Sequence, residues 1–230
     1  MPDGADTFAI PIRLNGAELL AEATGALWWP DEGTLIVADL HFEKGSSYAV
    51  GGQFLPPYDT AETLLRLGDA MRKDGLRRVV CLGDSFHDGD GPARLGAEDT
   101  ARLRRLTESC DWVWIAGNHD PHPPDHLGGR VVAEELVIGP LVLRHIASRD
   151  GAPGEISGHY HPQSAIRVRG RRLSGPCFIH DARRIVMPAF GAYTGGLDID
   201  DDAIRALFPR EPSVHLLVRR RIVTLTRAAA

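Results

Sequence analysis

The sequence predicts a layered α/β sandwich built on a mixed sheet. Three observations carry that expectation. Between residues 33 and 120 apolar runs alternate with amphipathic stretches, strand–helix–strand–helix–strand, a pattern that implies parallel strands joined by crossover helices. After residue 130 strand follows strand. No linker-like shift in composition, internal repeat or low-complexity segment interrupts the 230 residues, so one domain spanning 1–230 is expected.

The elements follow in order. "FAIPIRL" (8–14), "AELLAEA" (17–23) and "ALWW" (26–29) read as short strands separated by Asn-Gly and Thr-Gly turn signals. Trp28 and Trp29, being adjacent, face opposite ways, so one of them is expected to be exposed. "GTLIVAD" (33–39) is a continuous apolar run of the kind found where both faces of a sheet are covered. A Gly- and Pro-rich loop follows. A helix then starts at Asp59, with Glu62 completing a capping box and Ala61, Leu64, Leu65 and Met71 as its apolar stripe, before Gly75 ends it. "RRVVCLG" (77–83) is the next buried strand, and a helix around 97–109 turns Leu103 and Leu106 inward. "DWVWIAG" (111–117) is the third strand of the series, with Trp112 and Trp114 on one face as core residues. "VVAEELVIG", "LVLRH", "EISGH", "SAIRVRG", "PCFIH", "RRIVMPAF" and "SVHLLVRRRIVTLT" are the later strands, and only "DDAIRALF" (201–208) looks helical among them.

Composition bounds the function. Hydrophobic residues make up 43% and charged residues 25%, as in a soluble globular chain, and a net charge of −5 excludes a generic polyanion binder. Of 26 basic residues only Lys44 and Lys73 are lysine, and arginine suits bidentate phosphate contacts. The arginines of "RVRGRR" (167–172), "ARR" (182–184) and "RRR" (219–221) fit either a phosphate track or charged guards on sheet edges. Three cysteines with no C-x-x-C pair suit a reducing compartment. The first ten residues carry no signal pattern and no apolar run approaches ~18 residues, so a cytoplasmic location without a membrane span is expected.

The chemistry lies where the apolar runs stop. Asp39 and His41, Asp84, then Asn118, His119 and Asp120, then His145, then His159 and His161 each follow such a run. Ligands of open α/β sheets collect outside the carboxyl ends of the strands. In D-x-H and H-x-H, alternate residues of an extended segment would point to one side, so each pair would converge. Leaving aside His119 and Asp120, two carboxylates, one amide oxygen and four imidazoles at one sheet edge describe a pair of divalent metal ions. The mix of nitrogen and oxygen donors suits Mn, Fe, Zn or Ni better than Ca or Mg.

D-x-H, G-D, G-N-H-D, a strand-terminal His and G-H-x-H together resemble the calcineurin-like metallophosphoesterases over residues 33 to 163. That resemblance implies an α-β-β-α sandwich with mixed sheets. It also implies that Asp39, His41, Asp84 and His161 hold one metal, Mn being favoured, and that Asp84, Asn118, His145 and His159 hold the other. By the same likeness His119 is a catalytic acid oriented by Asp120, and a hydroxide between the metals attacks phosphorus in line.

The string "GDSFHDGD" lacks the Asp-Arg-Gly of the Ser/Thr protein phosphatases and is more similar to Mre-type recombination nucleases, which makes His87 a candidate catalytic or phosphate contact. "ADLHFEKG", "GDSFHD" and "GPCFIHDARRIVMPAFGAYTGGLDI" (175–199) resemble the bacterial ligase-associated DNA-damage-response phosphoesterases over nearly the whole chain. That likeness implies a DNA endonuclease in repair, working alongside an ATP-dependent DNA ligase, a helicase and an exonuclease. Two rival readings remain: a hydrolase of small phosphoesters or nucleotides, and a scaffold that has lost catalysis. His122 and His126 fit the mouth of the site or, the favoured reading, ordinary loop residues, and Tyr193 and Thr194 belong to a Gly-rich loop open to close approach by backbone or substrate.

Overall fold

The computed structural model describes residues 8–122, 124–168 and 170–225. The first sheet runs β1 (Ala9–Leu14), β2 (Ala17–Glu22), β3 (Leu27–Trp29), β4 (Thr34–Val37), β5 (Arg78–Leu82), β6 (Asp111–Ile115) and β7 (Arg130–Val132), side by side in that order. The first four strands form an antiparallel meander; from β4 onward the neighbours are parallel. The second sheet is built from β8 (Glu135–Ile138), β9 (Leu141–Arg144), β10 (Glu155–Ser157), β11 (Gln163–Val168), β12 (Arg171–His180), β13 (Arg184–Val186), β14 (Ser213–Val218) and β15 (Arg221–Leu225). Its order is β15-β14-β12-β13-β10-β9-β8, with β11 paired to β12. β10 lies parallel to both β9 and β13.

The helices are α1 (Lys44–Val50), α2 (Asp59–Ala70), α3 (Gly91–Arg94), α4 (Ala97–Thr107) and α5 (Asp202–Arg205). Apolar packing sorts them into layers. Ile12, Trp29, Ile36, Val80 and Val113 of the first sheet meet Leu143, Ile156, Phe178 and Ile185 of the second. On the other face of the first sheet, Leu35, Val37, Val79, Cys81, Trp112 and Trp114 pack under Leu64 and Leu67 of α2 and Leu103 of α4. The outer face of the second sheet is covered by Ile199, Ile204 and Phe208 around α5. This is the α-β-β-α order, with a thin fourth layer. Among the described residues no helix is long and apolar enough to cross a membrane.

Several sequence expectations shift. Both Trp28 and Trp29 are buried, because each face of β3 has its own core: Trp28 packs under the helices and Trp29 between the sheets. "VVAEELVIG" is not one strand, since the chain leaves the first sheet after β7 and joins the second at β8. The expected loop after His41 contains α1. The helix at Asp59 starts as predicted, but no capping box forms; Tyr58 is its cap and makes no side-chain bond. Asp59 instead turns back to accept the Gly45 amide of α1 at 3.0 Å. The buried stripe of α2 is Thr60, Thr63, Leu64, Leu67 and Ala70, leaving Leu65 exposed.

Candidate metal centre

Five segments end on one rim. Asp39 and His41 follow β4, Asp84 follows β5, Asn118 and His119 follow β6, His145 follows β9, and His159 and His161 follow β10. The local backbone is not the extended one expected from the two-residue spacings. Asp39, His41, Asp84, His159 and His161 all have positive φ, between 45° and 72°. Left-handed backbone costs a non-glycine residue ~1–3 kcal/mol, and such residues gather at functional sites where the surroundings hold them. Convergence of D-x-H and H-x-H therefore comes from two tight turns, not from the alternation of a strand.

The surroundings that hold them are visible. The His159 amide donates to both Asp39 oxygens, at 3.1 and 2.9 Å, and the His119 amide donates to Asp84 Oδ1 at 2.9 Å. Gly158 and Gly117 make this approach possible. A Cβ on Gly158 would sit 2.5 Å from Asp39 Oδ2, and one on Gly117 would run into the Asp84 amide and carboxylate. No side chain fits at either place.

Two donor groups result. Asp39, His41 and His161 form one: His161 Nε2 lies 3.3 Å from Asp39 Oδ1 and 3.3 Å from His41 Nε2. Asp84, His145 and His159 form the other: His145 Nε2 lies 3.3 Å from Asp84 Oδ2, 3.2 Å from His159 Nδ1 and 2.9 Å from Asn118 Oδ1. His145 donates from Nδ1 to the Leu82 carbonyl at 2.8 Å, and His161 from Nδ1 to the Gly195 carbonyl at 3.1 Å. These two imidazoles thus have Nδ1 anchored on backbone and Nε2 turned inward, the arrangement that orients metal-binding histidines, while His159 turns its Nδ1 toward His145. Imidazole and carboxylate donors in these numbers fit a pair of borderline divalent cations.

Charge reinforces the geometry. Burial pushes the Asp84 carboxyl up, but the His145 bond and charge, the His119 amide and His41 outweigh it and hold the group at about 2. His145 is raised above its ordinary value: burial opposes this, and Asp84 and Asp39 overcome it. His161 is raised for the same reason, with Asp39 as the main partner against burial. His41 is driven down to about 2 by burial and by the charge of His161. Burial and His145 lower His159.

The second line of residues differs from expectation at one point. Asp120 does not orient His119. Its buried carboxylate accepts the Ser85 and Phe86 amides at 2.9 and 3.0 Å, pinning the turn that follows Asp84. Burial raises this group to about 7, those amides working against the shift. His119 is oriented instead by the His87 carbonyl, 2.7 Å from Nδ1, while its Nε2 lies 4.0 Å from Asp84 Oδ2. The His87 ring stacks on His119 at 5.3 Å and its Nδ1 lies 3.4 Å from His41 Nδ1, so His41, His87 and His119 form a third imidazole group beside the other two.

His122 and His126 are exposed on the loop beyond Asp120. Arg184 is buried against Glu155, 3.5 Å away, and Arg183 bonds the Gly151 carbonyl, so "ARR" braces the second sheet. Of "RVRGRR", Arg169 lies outside the described residues; Arg167 and Arg172 line a cleft with Asp198.

Sequence reasoning missed one neighbour of the rim and the exact contacts of another. Tyr48 of α1 sits 5.5 Å from the His87 ring, with Lys44 above it. The loop 191–195 meets the rim twice, through the Gly195 carbonyl on His161 and the Gly191 amide on the Asp39 carbonyl at 3.1 Å. Its glycines were the only signal for either contact.

Comparison with known proteins adds three findings. The family model for calcineurin-like phosphoesterase matches residues 34–137. A search of curated proteins returns no significant match. Among solved structures, a Pseudomonas putida nuclease MPE is 31% identical, covers 94% of this chain and 100% of its own, and superposes with a TM-score of 0.72. A Vacuolar Protein Sorting 29 from Cryptosporidium parvum is 16% identical over 84% of this chain and 94% of its own, with a TM-score of 0.34.

Proposed function

The chain belongs to the calcineurin-like phosphoesterase family and is a metal-dependent phosphoesterase, and from that premise we propose that it is a dinuclear phosphodiesterase cutting DNA internally. The observation that carries this is the meeting of the two carboxylate–imidazole groups on one rim with His119 beside them. The DNA substrate is supported by the likeness to a nuclease over nearly the whole chain.

In this reading Asp39, His41 and His161 hold one divalent cation, Asn118, His145 and His159 hold the other, and Asp84 serves both; Mn is the proposed metal. Bound there, the cations supply Lewis acidity at phosphorus and make the attacking water acidic. His119 completes the work. Its Nδ1–H stays on the His87 carbonyl, so Nε2, 4.0 Å from Asp84 Oδ2, is the nitrogen left to carry a proton to the substrate. That Nε2 proton goes to the departing oxygen, leaving the ring neutral and still held at Nδ1. His87 contributes its carbonyl to this hold and offers its half-buried ring to a phosphate oxygen.

The test uses Mn-loaded protein with closed circular single-stranded DNA, linear double-stranded DNA, a small phosphodiester and a phosphomonoester, and Asp84→Ala as control. Cutting of the circle, which has no ends, is expected. Turnover of monoesters alone would end the nuclease reading. The hydrolase of small phosphoesters is the second reading, favoured by the cleft of about 420 Å³ beside Asn118 and His145, a size that holds a whole small molecule.

A further inference from the structure

A cleft of about 230 Å³ opens directly beside His161, walled by Arg66, Gln163 and the loop 191–195. Pockets that swallow whole small molecules hold ~300–1,000 Å³, so this one suits a single unit of a polymer. Its wall is built. The Arg66 guanidinium lies 4.8 Å over the Phe190 ring and gives one N–H to the Thr24 carbonyl at 3.1 Å, which fixes it as a plate at the cleft. Burial holds Arg66 below its ordinary value; Glu62 opposes the shift and Arg220, on the turn between β14 and β15, adds to it. A guanidinium held flat in this way keeps N–H groups to offer a phosphate, with Glu62 as the carboxylate on the same cleft.

The same cleft is lined by an aromatic residue. Tyr193 is 44% exposed on a left-handed backbone, φ 58°, while its neighbours are tied down. The Ala192 amide donates to Thr63 Oγ1 at 2.9 Å, and the Thr194 hydroxyl donates to the Gly191 carbonyl at 3.0 Å. A fixed loop thus presents a large, wet ring two residues before the Gly195 carbonyl that anchors His161. Core packing does not explain its exposure.

We propose that this cleft seats the nucleotide adjoining the phosphate under attack, its base on the Tyr193 ring and its outer phosphate on Arg66. The inference rests on the nuclease reading and deepens it: Arg66 and Tyr193 fix the register of the strand on the rim. Base stacking on an aromatic side chain tolerates any sequence, so the subsite grips without selecting.

Three substrates separate the contacts: oligo-dT, an oligomer of abasic units that keeps the phosphates and lacks the bases, and methyl p-nitrophenyl phosphate. Tyr193→Ala should lower kcat/KM on oligo-dT by ~5–100-fold relative to the abasic oligomer. Arg66→Met, which keeps the apolar stem on Phe190, should weaken both polymers alike relative to the small diester. Independently of turnover, Mn-free wild-type protein irradiated with 5-iodouracil-substituted oligo-dT should give an adduct in the tryptic peptide 185–205. Equal losses for Tyr193→Ala on both polymers, or adducts elsewhere, would overturn the subsite and leave the nuclease reading standing. Wild-type protein that turns over the small diester and leaves oligo-dT whole would remove both.

Discussion

The rim at the strand ends and the His180–His215 pair are both buried histidine clusters, and they differ in what stands beside them. On the inward face of the second sheet, the side of Phe178, Leu217 and Ile222, His180 Nε2 lies 2.9 Å from His215 Nε2, the rings stacked at 5.0 Å, and His215 Nδ1 is 3.0 Å from the Thr224 hydroxyl. Burial pushes both below the ordinary range, His215 to about 4 with His180 adding to the effect. On the rim, His145 and His161 are as enclosed and yet are raised, because Asp84 and Asp39 face them. Burial of an imidazole therefore says little about function. A carboxylate held against it, with several left-handed residues gathered around the pair, says a great deal.

The largest test of that contrast removes the carboxylate. Asp84→Ala should strip metal from the protein and cut DNA hydrolysis to below ~1% of wild type, a heavier loss than the ~10–100-fold typical of an outer partner; metal content by plasma spectrometry decides it. Full metal content in the variant would contradict the role of Asp84 in both donor groups. Next in size, His119→Ala should keep its metal and lose ~10²–10⁴-fold on DNA, with a far smaller loss on p-nitrophenyl esters whose leaving group needs no proton. A variant without metal would make His119 a ligand.

Asp120→Ala sharpens the distinction between holding and acting. Two buried amides would lose their acceptor, so stability should fall by ~2–4 kcal/mol in denaturant titrations. An unchanged stability with an altered pH–rate profile would instead return Asp120 to the role of orienting His119. Smallest of the four, His215→Leu should leave metal and activity alone and flatten the acid limb of stability. Unfolded His215 takes up a proton near pH 6.5 and folded His215 only at about 4, so protons favour the unfolded chain in that window. The stabilisation is whole above pH 6.5 and falls by about 3 kcal/mol as pH drops to 4. Melting curves of wild type and variant that stay parallel from pH 7 to 4 would break the account.

Much of this was legible in the chain because strand ends are loud. An apolar run that stops on Asp or His marks the end of an element, and the seven residues named as donors lie together there. Fine geometry was silent. Nothing in "DLH" or "HYH" announces a left-handed turn, because positive φ at Asp39 or His159 is imposed by the amides and glycines of other strands. Asp59 and Asp120 read as cap and orienter from their neighbours in sequence, and each spends its carboxylate on an amide more than a dozen residues away. Trp28 could not declare its burial without knowledge of the helices that cover it. The His180–His215 pair is unreadable for a plainer reason: its members are 35 residues apart and meet only through the register of β12 and β14.

The donors of the rim come from both sheets, Asp39, His41, Asp84 and Asn118 from the first and His145, His159 and His161 from the second. Any cation seated there is a rivet through the two leaves of the sandwich as well as a reagent. Ligand binding to the folded state alone raises stability in step with occupancy, so starving such a cell of metal would loosen the enzyme's seam at the same moment that it silenced the chemistry.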